Sequence, residues 1–123
     1  MRSKHIMLAY PYDTKRLERM QRPFIVQPKL DGIRCMAFIK GTDVNLTSSQ
    51  GNIIGSVPHI NRAIKDWLSV TDTTNDIVAL DGELYVHGMN FQDIVSIAKR
   101  TKNLHQDYME MEFHVFDVIH KQP

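Results

Sequence analysis

The tripeptide Leu-Asp-Gly occurs twice in this sequence, as Leu30-Asp31-Gly32 and as Leu80-Asp81-Gly82. Each copy lies among apolar residues that alternate with the period of two typical of a β-strand. Asp-Gly between apolar runs is a strong signal for a β-hairpin, because both residues tolerate the positive φ angles of the tight turn. We therefore expect two hairpins, one joining strands at 24–30 and 33–40 and one within the strand-like segment 77–86.

The other elements follow from periodicity and from residues that cap or stop helices. The sequence predicts helices at 13–21 and 58–68, and a third helix that begins after Asn90 as its N-cap. It also predicts strands at 44–46 and 113–119, a turn at 48–51 and a polar loop at 71–76. Because helices and strands are interspersed and the strand pairs look antiparallel, we expect an α+β fold on an antiparallel sheet.

The composition is that of an ordinary globular chain. With 123 residues, 42% hydrophobic, the chain is one domain or part of one. The net charge of +1 excludes a strong global field, so any contact with nucleic acid must come from a local patch. Cys35 is the only cysteine, which excludes intramolecular disulfides, and we expect its side chain to be buried. No signal peptide or membrane-spanning run is evident, so we expect a cytoplasmic protein that is not secreted and has no membrane partner.

Ionisable side chains share one face of each predicted hairpin. Lys29 and Asp31 alternate onto one face before the first turn, and Arg34 follows just past it. Asp81 and Glu83 share a face around the second turn. A solvent-facing side of an antiparallel sheet explains this pattern. The alternative is chemical, because a lysine amine near other cations can act as a nucleophile and arginine suits phosphate.

Three motifs resemble those of ATP-dependent DNA ligases and occur in the same order. Residues 27–34, Gln-Pro-Lys-Leu-Asp-Gly-Ile-Arg, resemble the Lys-x-Asp-Gly-x-Arg nucleotidyltransferase motif. Residues 80–84, Leu-Asp-Gly-Glu-Leu, resemble the Asp-Gly-Glu motif, and residues 113–118, Phe-His-Val-Phe-Asp-Val, resemble the aromatic-rich strand that ends in Phe-Asp. The resemblance covers essentially the whole chain. It implies an enzyme with the nucleotidyltransferase fold of the ligase adenylation domain, which is ATP-grasp-like.

The resemblance also implies a role for each motif residue. Lys29 would be the catalytic residue, attacking the α-phosphate of ATP and carrying AMP as a phosphoramidate. The implied nucleotide contacts are Gln27 at the adenine edge, Arg34 at the sugar or phosphate, Glu83 at the ribose and Phe116 stacked on adenine. The implied supporting residues are Asp31, Gly32, Asp81, Gly82 and Asp117.

In the family, AMP then passes to the 5′-phosphate of nicked double-stranded DNA, and the 3′-hydroxyl displaces it. Both steps are phosphoryl transfers at Mg²⁺, and they serve DNA repair, replication and recombination. ATP and Mg²⁺ are therefore the implied cofactors. The family also has a later Glu-Gly motif, a Lys-x-Lys motif and an OB-fold domain. Residues 1–123 contain none of them, so we expect a partial adenylation domain that is incomplete for ligation.

Contact with DNA is expected to be weak or absent for this chain. The family has Ser-Arg-x-Gly where this sequence has Ser-Ser-Gln-Gly at 48–51, and a hydroxyl brings no charge to a phosphate. The candidate phosphate contacts are Ser48, Ser49, Lys99, Arg100 and Lys102. The three basic residues also fit a solvated helix end that is favoured by the helix dipole. The histidines have no metal-ligand spacing, so no metal site is predicted from them.

Two other readings stay open. An RNA ligase or a capping guanylyltransferase shares the lysine chemistry, although Arg34 after Gly-x favours the DNA ligase pattern. A truncated, non-catalytic module that binds nucleotide or forms a homo-oligomer through an exposed sheet edge is the second alternative. The resemblance to phage and viral ligases implies the cytoplasm of a bacterium or of a phage-infected host.

Overall fold

The computed structural model describes residues 5–8, 30–70 and 76–122. Its strands in these ranges are β1 (Ile6–Leu8), β2 (Ile33–Lys40), β3 (Asp43–Ser48), β4 (Ile77–Tyr85) and β5 (Glu112–His120). Its helices are α1 (Pro58–Ser69) and α2 (Phe91–Ala98), with a 3-10 turn at Tyr108–Glu110. The helix predicted at 13–21, the strand predicted at 24–30 up to residue 29, and residues 71–75 of the predicted loop lie outside the described residues. No helix in the described ranges is both long and apolar enough to cross a membrane.

The five strands form one sheet in the order β1-β5-β4-β2-β3. Neighbouring strands are antiparallel except β1, which pairs with β5 in parallel. The α+β prediction is confirmed, and the sheet is mixed because of β1. The strands predicted at 33–40, 44–46 and 113–119 and the helix predicted at 58–68 all appear, some of them a few residues longer than predicted.

The hairpin predicted at Asp81-Gly82 is wrong, and the one predicted at Asp31-Gly32 involves residues 24–29, which lie outside the described residues. Between Cys35 and Phe38, β2 pairs with β3 on one side and β4 on the other. The hairpin that β2 does form is with β3, through a turn at Gly41, whose φ is 64°. The second Asp-Gly lies inside β4, which continues unbroken to Tyr85. Both glycines leave room for a neighbouring strand, since a Cβ atom at Gly32 would strike the backbone of Leu84 and one at Gly82 the backbone of His114.

One face of the sheet packs against the helices and forms the core. The fully buried side chains include Leu46 of β3, Leu80 and Leu84 of β4, Ile60 and Ile64 of α1, and Ile94 and Ile97 of α2. Each such side chain contributes about 1.5–3 kcal/mol when it leaves water. Asn90 caps α2 as predicted, because its side chain accepts a hydrogen bond of 2.9 Å from the backbone N–H of Asp93. The described helices thus pack on this face, and the other face carries the charged side chains of Arg34, Asp81 and Glu83.

A β-bulge between β4 and β5 sets the direction of Phe116. Asp81 pairs with Asp117 but the next residue, Gly82, pairs with Val115, so Phe116 is an extra residue in β5. Phe113 and Val115 are buried before the bulge, whereas Val118 packs against the core after it. Phe116 therefore lies on the polar face of the sheet, beside the residues of β2 and β4.

Candidate active site

Three adjacent strands bring the motif residues to the polar face. Arg34 of β2 lies directly opposite Glu83 of β4, and Glu83 lies opposite His114 of β5. Residues directly opposite each other in an antiparallel pair project to the same side, with Cβ atoms about 5 Å apart. The shared face that the sequence predicts for Asp81 and Glu83 is therefore confirmed, and Arg34 and Phe116 join it.

Arg34 and Asp81 form a bidentate ion pair across β2 and β4. The Nε of Arg34 donates to Oδ1 of Asp81 at 2.7 Å, and Nη2 donates to Oδ2 at 2.6 Å. The Asp81 side chain is 12% exposed and the Arg34 side chain 52%. Hydrogen bonding to Asp81, and then its negative charge, raise the pKa of Arg34 above its ordinary value. Paired N–H···O bonds of this kind fix the plane of the guanidinium as well as its position.

The same guanidinium lies over Phe116. The Cζ atom of Arg34 is 5.0 Å from the centroid of the Phe116 ring. A cation at this distance is attracted to the negative face of an aromatic ring. Arg34 therefore joins the Asp81 carboxylate and the Phe116 ring into one unit that spans β2, β4 and β5.

Glu83 is tied to the start of β2. Its Oε2 accepts a hydrogen bond of 2.9 Å from the backbone N–H of Gly32. Gly32 follows Lys29 by three residues, so the bond links the Asp-Gly-Glu motif to the end of the lysine motif. Lys29 and Gln27 lie outside the described residues, and their roles stay predictions.

The structure adds a small cluster that sequence reasoning missed. His114 Nε2 lies 2.9 Å from Oε1 of Glu112, and the His114 ring meets the Tyr85 ring edge-on at 5.5 Å. His114 also stands directly opposite Glu83. Counting back two residues from Phe116 along β5 would have placed His114 on the site face. Metal-ligand spacing among the histidines does not reveal that one of them is a neighbour of Glu83.

Two of the predicted supporting residues are exposed. Asp31 precedes β2 and Asp117 lies next to the bulge, opposite Asp81. Asp81 itself has a defined structural part, since both of its oxygens bind Arg34. Among the described residues, no group of three or more His, Cys, Asp or Glu side chains could hold a metal ion.

The predicted turn at 48–51 is present, and it uses the hydroxyl of its first residue. Gly51 N–H donates to the Ser48 carbonyl at 2.9 Å, while Ser48 Oγ accepts from the backbone N–H groups of Gln50 and Asn52. Ser49 is exposed. A phosphate contact by either serine stays a prediction.

The basic cluster lies just beyond α2. Its three members, Lys99, Arg100 and Lys102, are all exposed. The hydroxyl of Ser56 donates to the carbonyl of Ala98 at 2.7 Å, which ties the segment after the 48–51 turn to this end of the helix. A phosphate contact by the basic residues stays a prediction.

Cys35 is a core residue, as predicted. Its side chain is 0% exposed, and burial, with the nearby Asp81 charge as the second cause, raises the pKa of its thiol to about 12. The thiol is therefore protonated at neutral pH and does not serve as a nucleophile.

A known protein family matches most of this chain. The family model described as ATP dependent DNA ligase domain matches residues 6–122. The chain belongs to this family. The motif resemblance in the sequence is thereby confirmed, together with the fold class that it implied.

Individual relatives are much longer than this chain. A DNA ligase of Acanthamoeba polyphaga mimivirus is 26% identical over 91 residues, which cover 73% of this chain and 14% of that protein. The solved structure titled Pmar-Lig_PreS3 has a TM-score of 0.61 at 28% identity and covers 75% of this chain and 20% of its own. The structure titled Pmar-Lig_Pre has the same fold, with a TM-score of 0.62 at 23% identity over 93% of this chain and 25% of its own. The match thus spans a quarter or less of each of these relatives.

Proposed function

We propose that this chain is the part of an ATP-dependent DNA ligase that binds ATP and becomes adenylated on Lys29. The observation that carries the proposal is the placement of Arg34, Glu83 and Phe116 on adjacent strands of one polar sheet face. Neighbouring strands lie about 4.8 Å apart, so β2 and β5 are about 10 Å apart across β4. One small ligand can therefore contact all three side chains.

Each side chain suits one part of a nucleotide. The Phe116 ring offers an apolar face on which a base can stack. The Glu83 carboxylate, held in place by Gly32 N–H, can accept hydrogen bonds from ribose hydroxyls. The Arg34 guanidinium stays charged and can donate to a phosphate or to a sugar oxygen. The three groups thus provide an apolar surface, an acceptor and a cation in one row.

The covalent step would use the neutral amine of Lys29. Its nitrogen attacks the α-phosphorus of ATP, the bond from that phosphorus to the bridging oxygen breaks, and pyrophosphate leaves with the electron pair. The amine loses one proton to solvent, leaving AMP bound through a P–N bond. An oxygen of a DNA 5′-phosphate then attacks the same phosphorus, the P–N bond breaks, and the Lys29 amine takes up a proton. The 3′-hydroxyl, which loses its proton to solvent, then attacks the 5′-phosphate, and AMP leaves as its bond to that phosphate breaks.

We propose that nicked double-stranded DNA is the acceptor and that this chain alone grips it weakly. The net charge is +1, and Ser49 supplies no charge in the 48–51 turn. Phosphate contacts supply most of the nonspecific affinity for DNA, so a chain with few basic residues at the site binds poorly. We propose the cytoplasm of a bacterial or phage-infected host as its location.

The adenylation proposal is tested by incubating the chain with α-labelled ATP and Mg²⁺ and running a denaturing gel. We expect label on the unaltered chain and on Lys40→Ala, which removes an exposed lysine of β2, but none on Lys29→Ala. Absence of label on the unaltered chain under all conditions would refute adenylation by this chain.

Two further comparisons separate the alternative functions. Labelling by GTP instead of ATP would indicate a capping-type guanylyltransferase, and transfer of AMP to RNA ends but not to nicked DNA would indicate an RNA ligase. A chain that binds nucleotide without labelling, and that light scattering shows to be oligomeric, would favour the non-catalytic module. In that case β1 and β3, the edge strands of the described sheet, are the surfaces available for strand pairing.

A further inference from the structure

We propose that the Arg34 guanidinium is the resting occupant of the Phe116 ring face and that a nucleobase takes its place when a nucleotide binds. This inference rests on the proposed function, since it requires that a base stacks on Phe116. It makes Arg34 a specificity-determining residue that links recognition of the base to contact with the rest of the nucleotide.

The position of Arg34 over the ring is fixed by Asp81. An arginine that is half exposed would otherwise sample many rotamers, but two hydrogen bonds to one carboxylate hold both the plane and the direction of this guanidinium. With that anchor in place, Cζ lies 5.0 Å from the ring centroid of Phe116. The contact therefore belongs to the ground state of the site.

A stacked base and this guanidinium cannot share the ring face. Stacked aromatic groups have centroids about 4.5–7 Å apart, and the guanidinium already lies within that layer at 5.0 Å. Stacking of a base on an aromatic side chain is stronger than an exposed cation–π contact, so the base displaces the guanidinium. Asp81 is the positioning residue, because its two hydrogen bonds hold Arg34 on the ring until the base displaces it.

Displacement has a consequence for specificity. Arg34 is charged whether or not it touches the ring, because a guanidinium stays protonated at neutral pH. A ligand without a base, such as pyrophosphate, leaves Arg34 on Phe116, so Arg34 adds little to the affinity for that ligand. A ligand with a base releases the guanidinium toward its own sugar and phosphates, so base and phosphate bind cooperatively.

The displacement is observable by NMR on the unaltered chain. The Arg34 Nε–H signal, assigned through its loss in Arg34→Lys, carries a ring-current shift from Phe116 that Phe116→Leu removes without any ligand. We expect adenosine to remove the same shift and pyrophosphate to leave it in place. Adenosine bound with the Arg34 signal unmoved would overturn the inference while leaving the proposed function intact.

The affinities for adenosine and for ATP are a second readout, and we expect them to change in opposite directions. The double variant Arg34→Gln, Asp81→Asn replaces the ion pair by a neutral pair and leaves no buried carboxylate without a partner. We expect it to bind adenosine about two- to five-fold more tightly, which corresponds to removing an exposed cation–π competitor, and to bind ATP more weakly. Arg62→Gln, an exposed charge on α1, should change neither affinity.

A loss of both affinities in the double variant would overturn the inference, because a merely structural Arg34 predicts that outcome. If the unaltered chain binds none of adenosine, AMP and ATP, the proposed function fails and the inference fails with it. The two failures are therefore distinguished by whether the unaltered chain binds adenosine at all.

Discussion

Replacement of Gly82 by alanine should destabilise the sheet at the bulge. A Cβ atom added to Gly82 would meet the backbone carbonyl oxygen of His114 at far less than contact distance, and it would lie 2.8 Å from Cε1 of Phe113. A flexible side chain could turn away from such a clash, but a strand carbonyl cannot. Relief therefore requires β4 and β5 to separate at the point where Phe116 is bulged out.

The size of the effect follows from the kind of atom that must move. Overpacking a core commonly costs about 1–3 kcal/mol, and a clash with backbone belongs at the upper end, so we expect a loss of about 3 kcal/mol. A chain of 123 residues has a total stability of roughly 6–18 kcal/mol at ordinary values per residue. The loss is a large share of that total and corresponds to a fall in Tm of about 10–15 °C.

Thermal and urea unfolding followed by circular dichroism measure this loss directly. Gly55→Ala is the matched control, because a Cβ atom at Gly55 would have no atom within 4 Å, and we expect unchanged or slightly raised stability there. If Gly82→Ala unfolds within about 0.5 kcal/mol of the unaltered chain, as expected for an ordinary surface substitution, the close approach of β5 is not what requires glycine.

Three further predictions concern residues outside the candidate site. Asn90→Ala should lower the free energy of unfolding in urea by about 1 kcal/mol, because the N–H of Asp93 loses its acceptor. Asn90→Asp should retain most of that stability, and equal losses in the two variants would contradict the cap. The Cys35 thiol, with a pKa of about 12, should react with a thiol reagent only on unfolding, and a folded-state rate that rises between pH 7 and 9 would contradict its burial. Burial lowers the pKa of His59 below its ordinary value of 6.5, so the unfolded chain binds the proton more readily than the folded chain. The free energy of unfolding should therefore be highest above pH 6.5, where His59 is neutral in both states, and should decrease as the pH falls below that value. Urea unfolding at pH 7.5 and 5.5 should show a smaller loss for His59→Gln than for the unaltered chain, and identical losses would contradict the assignment.

The helices and most strands were predictable because short-range physics determines them. Apolar residues at helical spacing from Ile60 to Leu68 place α1, and Asn90 marks the start of α2. In β4 and β5 the alternation of apolar and polar residues gives both the strand and its polar face. Each of these signals lies within one element, so a single sequence contains it in full.

The contacts that build the site were not predictable in the same way. Arg34 and Asp81 are 47 residues apart, and their ion pair depends on the register of β2 against β4. The direction of Phe116 depends on a one-residue slip between β4 and β5 that no local pattern records. Motif resemblance could name Arg34 and Phe116 as functional, but it could not show that they touch each other.

The glycine of each Leu-Asp-Gly copy has a second physical use besides the tight turn. Lack of a Cβ atom lets glycine adopt the φ angles of a tight turn, and it also lets another strand approach closely. Here the second property applies in both copies: a Cβ atom at Gly32 would strike the carbonyl oxygen of Leu84, as one at Gly82 would strike that of His114. At each glycine, therefore, a backbone carbonyl of the neighbouring strand lies where a Cβ atom would otherwise stand.

The charged residues near both glycines form contacts between the same neighbouring strands. Arg34 follows Gly32 and lies opposite Glu83, while Asp81 and Glu83 enclose Gly82 and reach Arg34 and the N–H of Gly32. The Arg34–Asp81 ion pair and the hydrogen bond from Gly32 N–H to Glu83 therefore lie next to the glycines at which a neighbouring backbone approaches closely. A side chain at either glycine would alter the separation between strands and, with it, the distances between the groups of the site. For that reason Gly32→Ala and Gly82→Ala should weaken nucleotide binding even at temperatures where both variants remain folded.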